Sequence, residues 1–213
     1  MVPAVSAGPR RARRLPVARY HAGMTSQRYI ALLRGVNVGR AKRIAMADLR
    51  KLVEGLGYTG VRSLLNSGNV IFDASVPAAL AAQAIEEAMV LRLGVGARVF
   101  VLERQEFAEI VDDNPLVDLA DDHARLFAFL LSGDAEREVA SVLCGQDWQP
   151  EALAVGRRAA YVWCPAGVLD SAAAAALGKQ LGDGTTSRNW RTITKLQGLC
   201  NHPACSGAPG ALT

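Results

Sequence analysis

The feature that most constrains this chain is the order in which apolar residues change their spacing across its first half. Short apolar runs of strand length alternate with longer segments in which apolar residues recur every three or four positions, as on one face of a helix. These segments are residues 29–33, 46–56, 61–65, 70–72, 77–91 and 99–102. Their order is strand, helix, strand, strand, helix, strand. It predicts a ferredoxin-like subdomain, β-α-β-β-α-β, in which two helices cover one face of a four-stranded antiparallel sheet.

The second half repeats that order in outline. Its strand-like and helical segments are residues 126–131, 134–143, 152–155, 159–163 and 170–181, and a last helix covers 189–199. Thr185 and Thr186 could supply a short last strand. We therefore predict an α+β protein of two subdomains, the second a related β-α-β-β-α arrangement with a C-terminal helix. The halves share no residue-level similarity, so the likeness is one of topology.

The predicted organisation leaves a tail at each end. We expect a ferredoxin-like subdomain over 28–104, a connecting segment over 105–123 and the second subdomain over 124–199. Residues 1–27 and 200–213 are rich in Gly or Pro and are expected to be disordered. We interpret Met24 as the natural start, which would make the Arg-rich segment before it an annotation error. An organellar transit peptide and a nucleic-acid-binding arm are the alternatives.

Charge is distributed unevenly between the first tail and the rest. Residues 1–27 hold five arginines and no acid, whereas 28–213 hold 19 Lys and Arg against 20 Asp and Glu, a formal charge of −1. The basic pI of the whole chain therefore does not argue for a nucleic-acid partner, and only local clusters of cations can.

Two further classes are disfavoured by composition. No apolar run approaches the ~20 residues that a membrane-spanning helix needs. The cysteines at 144, 164, 200 and 205 lack Cys-x-x-Cys spacing, so neither a zinc site nor a redox pair is predicted. We expect reduced thiols, a cytoplasmic location, and no metal or other cofactor.

Three polar segments are candidates for chemistry. The first, residues 34–43, places glycines and four cations between a strand and a helix start, where free N–H groups favour an anion. The second, residues 66–69, has the residue types of a tight hairpin turn. The third, residues 185–196, gathers hydroxyls, amides and cations around another helix start. Each segment also has a purely structural explanation. The first could be a solvated loop, the second a turn chosen for backbone geometry, and the third a helix cap with Trp190 as core anchor.

These segments contain three linked motifs. They are Gly35-Val36-Asn37-Val38-Gly39, Ser67-Gly68-Asn69-Val70 and Arg188-Asn189-Trp190-x-Thr192-Ile193-x-Lys195-Leu196. In this order and at these separations they resemble the bacterial family called domain of unknown function 1697, over residues 28–199. The resemblance implies two α+β subdomains and no settled activity. The family often has Ser-Lys where this chain has Ser171-Ala172, so a ligand contact from that lysine would be missing here.

The predicted folded part offers little for acid–base catalysis. Its histidine is His123 alone, and the acidic pairs at 112–113 and 121–122 are adjacent in sequence, so they diverge on a helix. Cys164 lies in a predicted strand and is expected to be a buried, inert thiol. No residue is predicted to be catalytic, and whether the chain is an enzyme stays open.

Cations and amides suit a binding role better. If the three segments converge, they could together hold a phosphate-bearing ligand, either a nucleotide or a nucleic acid. An RNA-recognition platform is disfavoured because the first strand is apolar on both faces, which predicts a sheet covered twice. An enzyme acting on a small phosphorylated metabolite and a protein-interaction module without a small ligand are the alternatives. The candidate ligand-binding residues are Arg34, Asn37, Gly39, Lys42, Ser67, Asn69, Arg188, Asn189 and Lys195.

Overall fold

A computed structural model describes residues 25–37 and 43–201 of the protein. Its first half forms a four-stranded antiparallel sheet of order β2-β3-β1-β4, with two helices on one face. The elements are β1 (Gln27–Leu33), α1 (Met46–Glu54), β2 (Thr59–Leu64), β3 (Asn69–Ala74), α2 (Ala78–Leu93) and β4 (Val99–Glu103). This confirms the predicted ferredoxin-like order of elements.

The second half forms a sheet of the same topology, with order β6-β7-β5-β8. A connecting helix comes first, and a last helix follows the final strand directly. The elements are α3 (Arg104–Asp112), β5 (Leu126–Leu131), α4 (Asp134–Cys144), β6 (Ala152–Val155), β7 (Ala159–Trp163), α5 (Ala172–Leu181), β8 (Thr185–Asn189) and α6 (Trp190–Asn201). The two-subdomain α+β architecture is thus as predicted.

Strand β8 is longer than the sequence suggests. Only Thr185 and Thr186 were expected to be extended, and Asn189 was placed in the last helix, whereas the strand continues to Asn189. It therefore completes a second β-α-β-β-α-β unit. Its five residues, Thr-Thr-Ser-Arg-Asn, include no apolar side chain, so the usual signal of a buried strand is missing.

Three apolar cores lie between the layers. One packs β1 to β4 against α1 and α2, and another packs β5, β6 and β7 against α4 and α5. The third lies between the two sheets and also receives α3 and α6. Tyr29, Ala31 and Leu33 of β1 face the first core, while Ile30 and Leu32 face the central one. The first sheet is therefore covered on both faces, as predicted.

The two subdomains correspond residue by residue at one end of each sheet. Leu33 N donates to Gly68 O at 2.9 Å, and Leu131 N donates to Arg158 O at the same distance. Leu32 pairs with Asn69 across β1 and β3, as Leu130 pairs with Ala159 across β5 and β7. The end of β1 beside the first hairpin therefore matches the end of β5 beside the second.

Segment boundaries differ slightly from expectation. β1 begins at Gln27 and α6 ends at Asn201, so each element extends into a segment predicted as a tail. Residues 1–24, including Met24, and residues 202–213 lie outside the described residues. Among the residues described, no helix has the length and apolar character needed to cross a membrane. The boundaries proposed at 104/105 and 123/124 stay predictions.

Candidate functional site

A cavity of about 250 Å³ lies where the three polar segments meet between the subdomains. The end of β1 supplies one wall, the β2–β3 hairpin a second, and β8 with the first turn of α6 a third. We call it the motif cleft and define it by its polar and glycine residues Gly35, Ser67, Ser187, Arg188, Asn189 and Thr192. Parts of all three sequence motifs therefore surround one cavity.

Arg188 reaches from β8 across the cleft to the first subdomain. Its Nε donates to Asn69 Oδ1 at 2.5 Å. Its Nη2 donates to the carbonyl oxygens of Leu33 at 2.8 Å and Ser67 at 3.1 Å. One side chain thus fastens β8 to the end of β1 and to the hairpin.

The other terminal nitrogen of Arg188 bonds within its own strand. Nη1 donates to Thr186 Oγ1 at 3.1 Å and to the carbonyl oxygen of Ser187 at 2.7 Å. A guanidinium has five N–H donors, and Arg188 makes five hydrogen bonds. In this arrangement no N–H of Arg188 is left over for a ligand.

The charge of Arg188 is buried among neutral acceptors. The residue is 9% exposed, and all five of its hydrogen-bond partners are carbonyl, amide or hydroxyl oxygens. Burial disfavours the cation and lowers the pKa of Arg188 to about 10. The guanidinium is still protonated at neutral pH, so it places a positive potential in the cleft.

Asn69 and Asn37 build the walls of the cleft. Asn69 Nδ2 donates to Leu64 O at 3.0 Å and to Ser67 Oγ at 2.9 Å, which fixes the hairpin while its Oδ1 holds Arg188. Asn37 Nδ2 donates to Asn66 O at 2.6 Å and to Ile44 O at 2.9 Å, and its Oδ1 accepts from Ile44 N. Both amides are used to position backbone.

Gly68 lets the hairpin lie against the segment that follows β1. Its φ is +72°, in the left-handed region that favours glycine. A Cβ at this position would collide with Val36 Cγ2 and lie 2.8 Å from Leu33 Cβ. The glycine of the second motif is therefore needed both for the turn and for close packing.

Asn189 caps the last helix. Its Oδ1 accepts from Thr192 N at 3.0 Å and from Thr192 Oγ1 at 2.7 Å, the arrangement of an N-cap. Asn189 also lines the cleft, and its Nδ2 makes no hydrogen bond to any described residue. Asn189 can therefore cap the helix through its oxygen while its nitrogen remains available to a ligand.

The remaining candidate residues are placed differently. Arg34 bonds across the subdomain boundary, with Nη1 2.7 Å from Thr185 O and Nε 3.2 Å from Asp183 Oδ1. Lys195 is exposed on α6 and does not line the cleft. Gly39 and Lys42 lie outside the described residues.

Sequence reasoning missed Ser187 as a candidate. Ser187 lines the cleft, and its hydroxyl makes no hydrogen bond to any described residue. Ser67 Oγ accepts from Asn69 and keeps its own hydrogen for donation. The cleft therefore offers neutral donors from Ser67, Ser187 and Asn189 beside a buried cation. Successive side chains of a strand point to opposite faces, so Ser187 and Asn189 share one face of β8. The sequence could have shown this only if residues 185–189 had been recognised as a strand.

The cleft is not equipped for proton transfer. None of the described residues that line it is acidic, a histidine or a cysteine. Within residues 25–37 and 43–201, no three side chains of His, Cys, Asp or Glu converge as metal ligands would. The arrangement suits binding of an anion better than acid–base chemistry.

The equivalent position of the first subdomain has no such polar group. Arg188 pairs with Ala128 in β5, and the matching pair in the first sheet is Leu102 with Ile30. Leu102 is 4% exposed and belongs to the central apolar core. The fold therefore accepts a leucine at this position. Of the two equivalent positions, the one in β8, within the third motif, holds the buried guanidinium.

Comparison with known proteins gives a family and a fold. Residues 26–161 match the model of the family described as "Protein of unknown function (DUF1697)". The solved structure of a conserved bacterial protein from Streptococcus pneumoniae is similar, with a TM-score of 0.66 and 22% sequence identity. The similarity covers 83% of this chain and 99% of that one. At this identity it shows the fold alone, and no curated protein matches the chain.

Proposed function

We propose, from the premise that this chain belongs to the DUF1697 family, that its motif cleft binds the phosphate group of a small, nucleotide-sized ligand. The observation that carries the proposal is Arg188, a buried guanidinium whose five partners are all neutral. Removing a charge from water is costly unless an opposite charge compensates it. An anion in the cleft would supply that compensation.

The proposed contacts to the ligand come from neutral groups. The hydroxyls of Ser67 and Ser187 and the amide nitrogen of Asn189 are donors on lining residues, and charge-assisted hydrogen bonds to a phosphate are stronger than neutral ones. Arg188 acts through its charge and by holding the walls together, because its own donors are occupied. This division of roles differs from the sequence-based expectation of a direct Arg188 contact.

Size and charge favour a small ligand over a nucleic acid. A volume of about 250 Å³ holds a phosphate with part of a nucleoside and lies near the lower end of ordinary ligand pockets. A nucleic acid would need cations spaced along several phosphates. Among the described residues that line the cleft, Arg188 is the single cation.

Two variants separate ligand binding from folding. Ser187→Ala removes a hydroxyl without a partner among the described residues, so it leaves the walls intact. Asn189→Asp keeps an oxygen acceptor for the α6 cap and places a negative charge beside the ligand. Gln180→Glu makes the same amide-to-carboxylate change on an exposed residue of α5 and serves as the control.

The measurement is the melting temperature with inorganic phosphate, adenosine monophosphate or adenosine at constant ionic strength. We expect the nucleotide to raise the melting temperature of the native sequence and of Gln180→Glu, and to have little effect on Asn189→Asp. A rise of equal size in Asn189→Asp, or with adenosine alone, would contradict a phosphate site in this cleft.

A further inference from the structure

A second concave site lies in the second subdomain, away from the motif cleft. It encloses about 360 Å³ at the end of β5, between the start of α4 and the β6–β7 hairpin. Arg137 from α4 and Arg157 and Arg158 from the hairpin line it, together with Gly133 and Asp134. We call it the tri-arginine cavity, after Arg137, Arg157 and Arg158.

The three guanidinium groups are loosely held. Their nearest carboxylate contacts are Arg137 to Asp134 at 3.6 Å, Arg157 to Glu109 at 3.6 Å and Arg158 to Glu106 at 3.4 Å. These exceed the 2.7–3.2 Å of a normal N–H···O hydrogen bond. In the described part of the chain, none of the three side chains makes a hydrogen bond. Their donors therefore stay available for a ligand.

One of these donors is buried without a partner. Nε of Arg158 is inaccessible to solvent and has no hydrogen-bond acceptor among the described residues. Buried polar nitrogens are nearly always paired, so the unpaired Nε shows that the described residues leave Arg158 incompletely satisfied. The carboxylates nearby do not pair with this nitrogen. Glu106 and Glu109 belong to α3, and the side chain of Asp134 is 90% exposed.

The position of the cavity follows from the repeated fold. The first subdomain has a concavity at the matching place, and its lining residues include Asn37, Arg43, Ile44 and Asn66. There, Asn37 bridges the loop and the hairpin through its amide. In the second subdomain only Ser132 and Gly133 separate β5 from α4, so that amide bridge has no counterpart. Three arginines line this space, compared with Arg43 in the first subdomain.

We propose that the tri-arginine cavity binds the phosphate group of a small phosphomonoester. Planar guanidinium groups bind phosphate oxygens in pairs, and three of them around one space match the three oxygens of a phosphomonoester. The volume exceeds that of a phosphate ion, which leaves room for the esterified carbon chain. This site is independent of the motif cleft, because the two share no lining residue.

The test is a titration of the full chain with glycerol 3-phosphate or inorganic phosphate, followed by two-dimensional NMR of the backbone amides. Sodium chloride is added to keep the ionic strength constant, because salt screens the interactions of exposed charges. We expect saturable shifts of the Gly133 and Arg158 amides, with glycerol 3-phosphate binding more tightly than phosphate. Arg158→Gln and Arg137→Gln should each weaken binding about tenfold. Arg92→Gln, on the exposed surface of α2, should leave it unchanged.

The outcomes separate clearly. Shifts that never saturate, or equal affinity in the native chain and both cavity variants, would overturn the site. Inorganic phosphate binding as tightly as the ester would overturn the ester assignment. If Arg158→Gln disturbs the fold, Arg137→Gln still decides the question, since its side chain is about half exposed at 47%. Shifts in the motif cleft report on the other proposal and do not affect this one.

Discussion

Arg188 shows how one residue can be both a structural connection and a source of charge. Replacing it with Met keeps the length of the side chain but leaves Asn69 Oδ1 and the carbonyl oxygens of Leu33 and Ser67 without their donor. Because unpaired buried acceptors are costly, we expect Arg188→Met to lower the free energy of unfolding by about 3 kcal/mol or more. Urea denaturation measures this, with Arg92→Met as an exposed control. A loss below ~0.5 kcal/mol would mean that the network adds little to stability.

Alanine substitutions at Gly68 and Gly94 separate the energetic cost of close packing from that of backbone strain. Gly68→Ala combines a positive φ with two collisions, whereas Gly94, with φ +66°, has open space where a Cβ would go. We expect Gly94→Ala to cost about 1 kcal/mol from strain and Gly68→Ala about 3 kcal/mol. Equal losses in urea denaturation would show that the hairpin moves away from Val36 at no cost.

Two buried thiols should be protected from reaction. Burial raises the pKa of Cys164, and it raises the pKa of Cys200 from 9.0 to about 11. At pH 8 both are therefore thiols, and we expect peptide mapping to show slow alkylation by iodoacetamide in the native state and fast alkylation in urea. Since the folded state holds the Cys200 proton more tightly, this group stabilises the fold below pH ~9 and loses that effect as the pH rises through ~11. Native alkylation of Cys200 as fast as in urea would contradict its burial.

At the scale of elements, the start of α5 illustrates how a carboxylate from another segment can cap a helix. Glu151 accepts hydrogen bonds from Ala172 N at 2.9 Å, Ala173 N at 3.0 Å and Ser171 Oγ at 2.6 Å. It thereby satisfies the first N–H groups of the helix. We expect Glu151→Ala to lower stability by about 2 kcal/mol, while Glu138→Ala, exposed on α4, changes it little. Thermal unfolding compares the two, and equal effects would show that the cap contributes nothing specific.

Element prediction succeeded where apolar spacing was regular. Strands 152–155 and 159–163 were predicted with the bounds they have, because β7 is apolar and short turns enclose both. β8 was only partly recognised, since its buried side chains are Thr185, Thr186 and Arg188. Its burial depends on partners in the first subdomain, and no local pattern records them. The sequence left open whether the three motifs meet, and it did not indicate that the donors of Arg188 are occupied, because the acceptors of Arg188 in the first subdomain lie 119 to 155 residues away in sequence.

At the scale of the whole molecule, the central core joins the subdomains into one unit. Ile30, Leu32 and Leu102 of the first sheet share it with Tyr161 of the second and Trp190 of α6. Separating the sheets would expose all of these side chains, so we expect a single cooperative unfolding transition. The three tryptophans all belong to the second half, and Trp163 and Trp190 lie in the shared core. The loss of their native fluorescence should therefore coincide with hydrogen exchange of the β1 amides in urea. Exchange of β1 at urea concentrations where fluorescence remains native would show that the first subdomain opens alone.

The network around Arg188 also sets an order for biosynthesis. Its bonds join positions 119 to 155 residues apart in sequence, and contacts of such separation form late because the intervening chain must be closed into a loop. As the chain emerges from the ribosome, the hairpin and the end of β1 are made long before β8. Until β8 is synthesised, Asn69 Oδ1 and the carbonyl oxygens of Leu33 and Ser67 lack the guanidinium donor. The motif cleft is therefore a feature of the completed polypeptide, and an incomplete product that stops short of β8 would carry two of the motifs without the cleft.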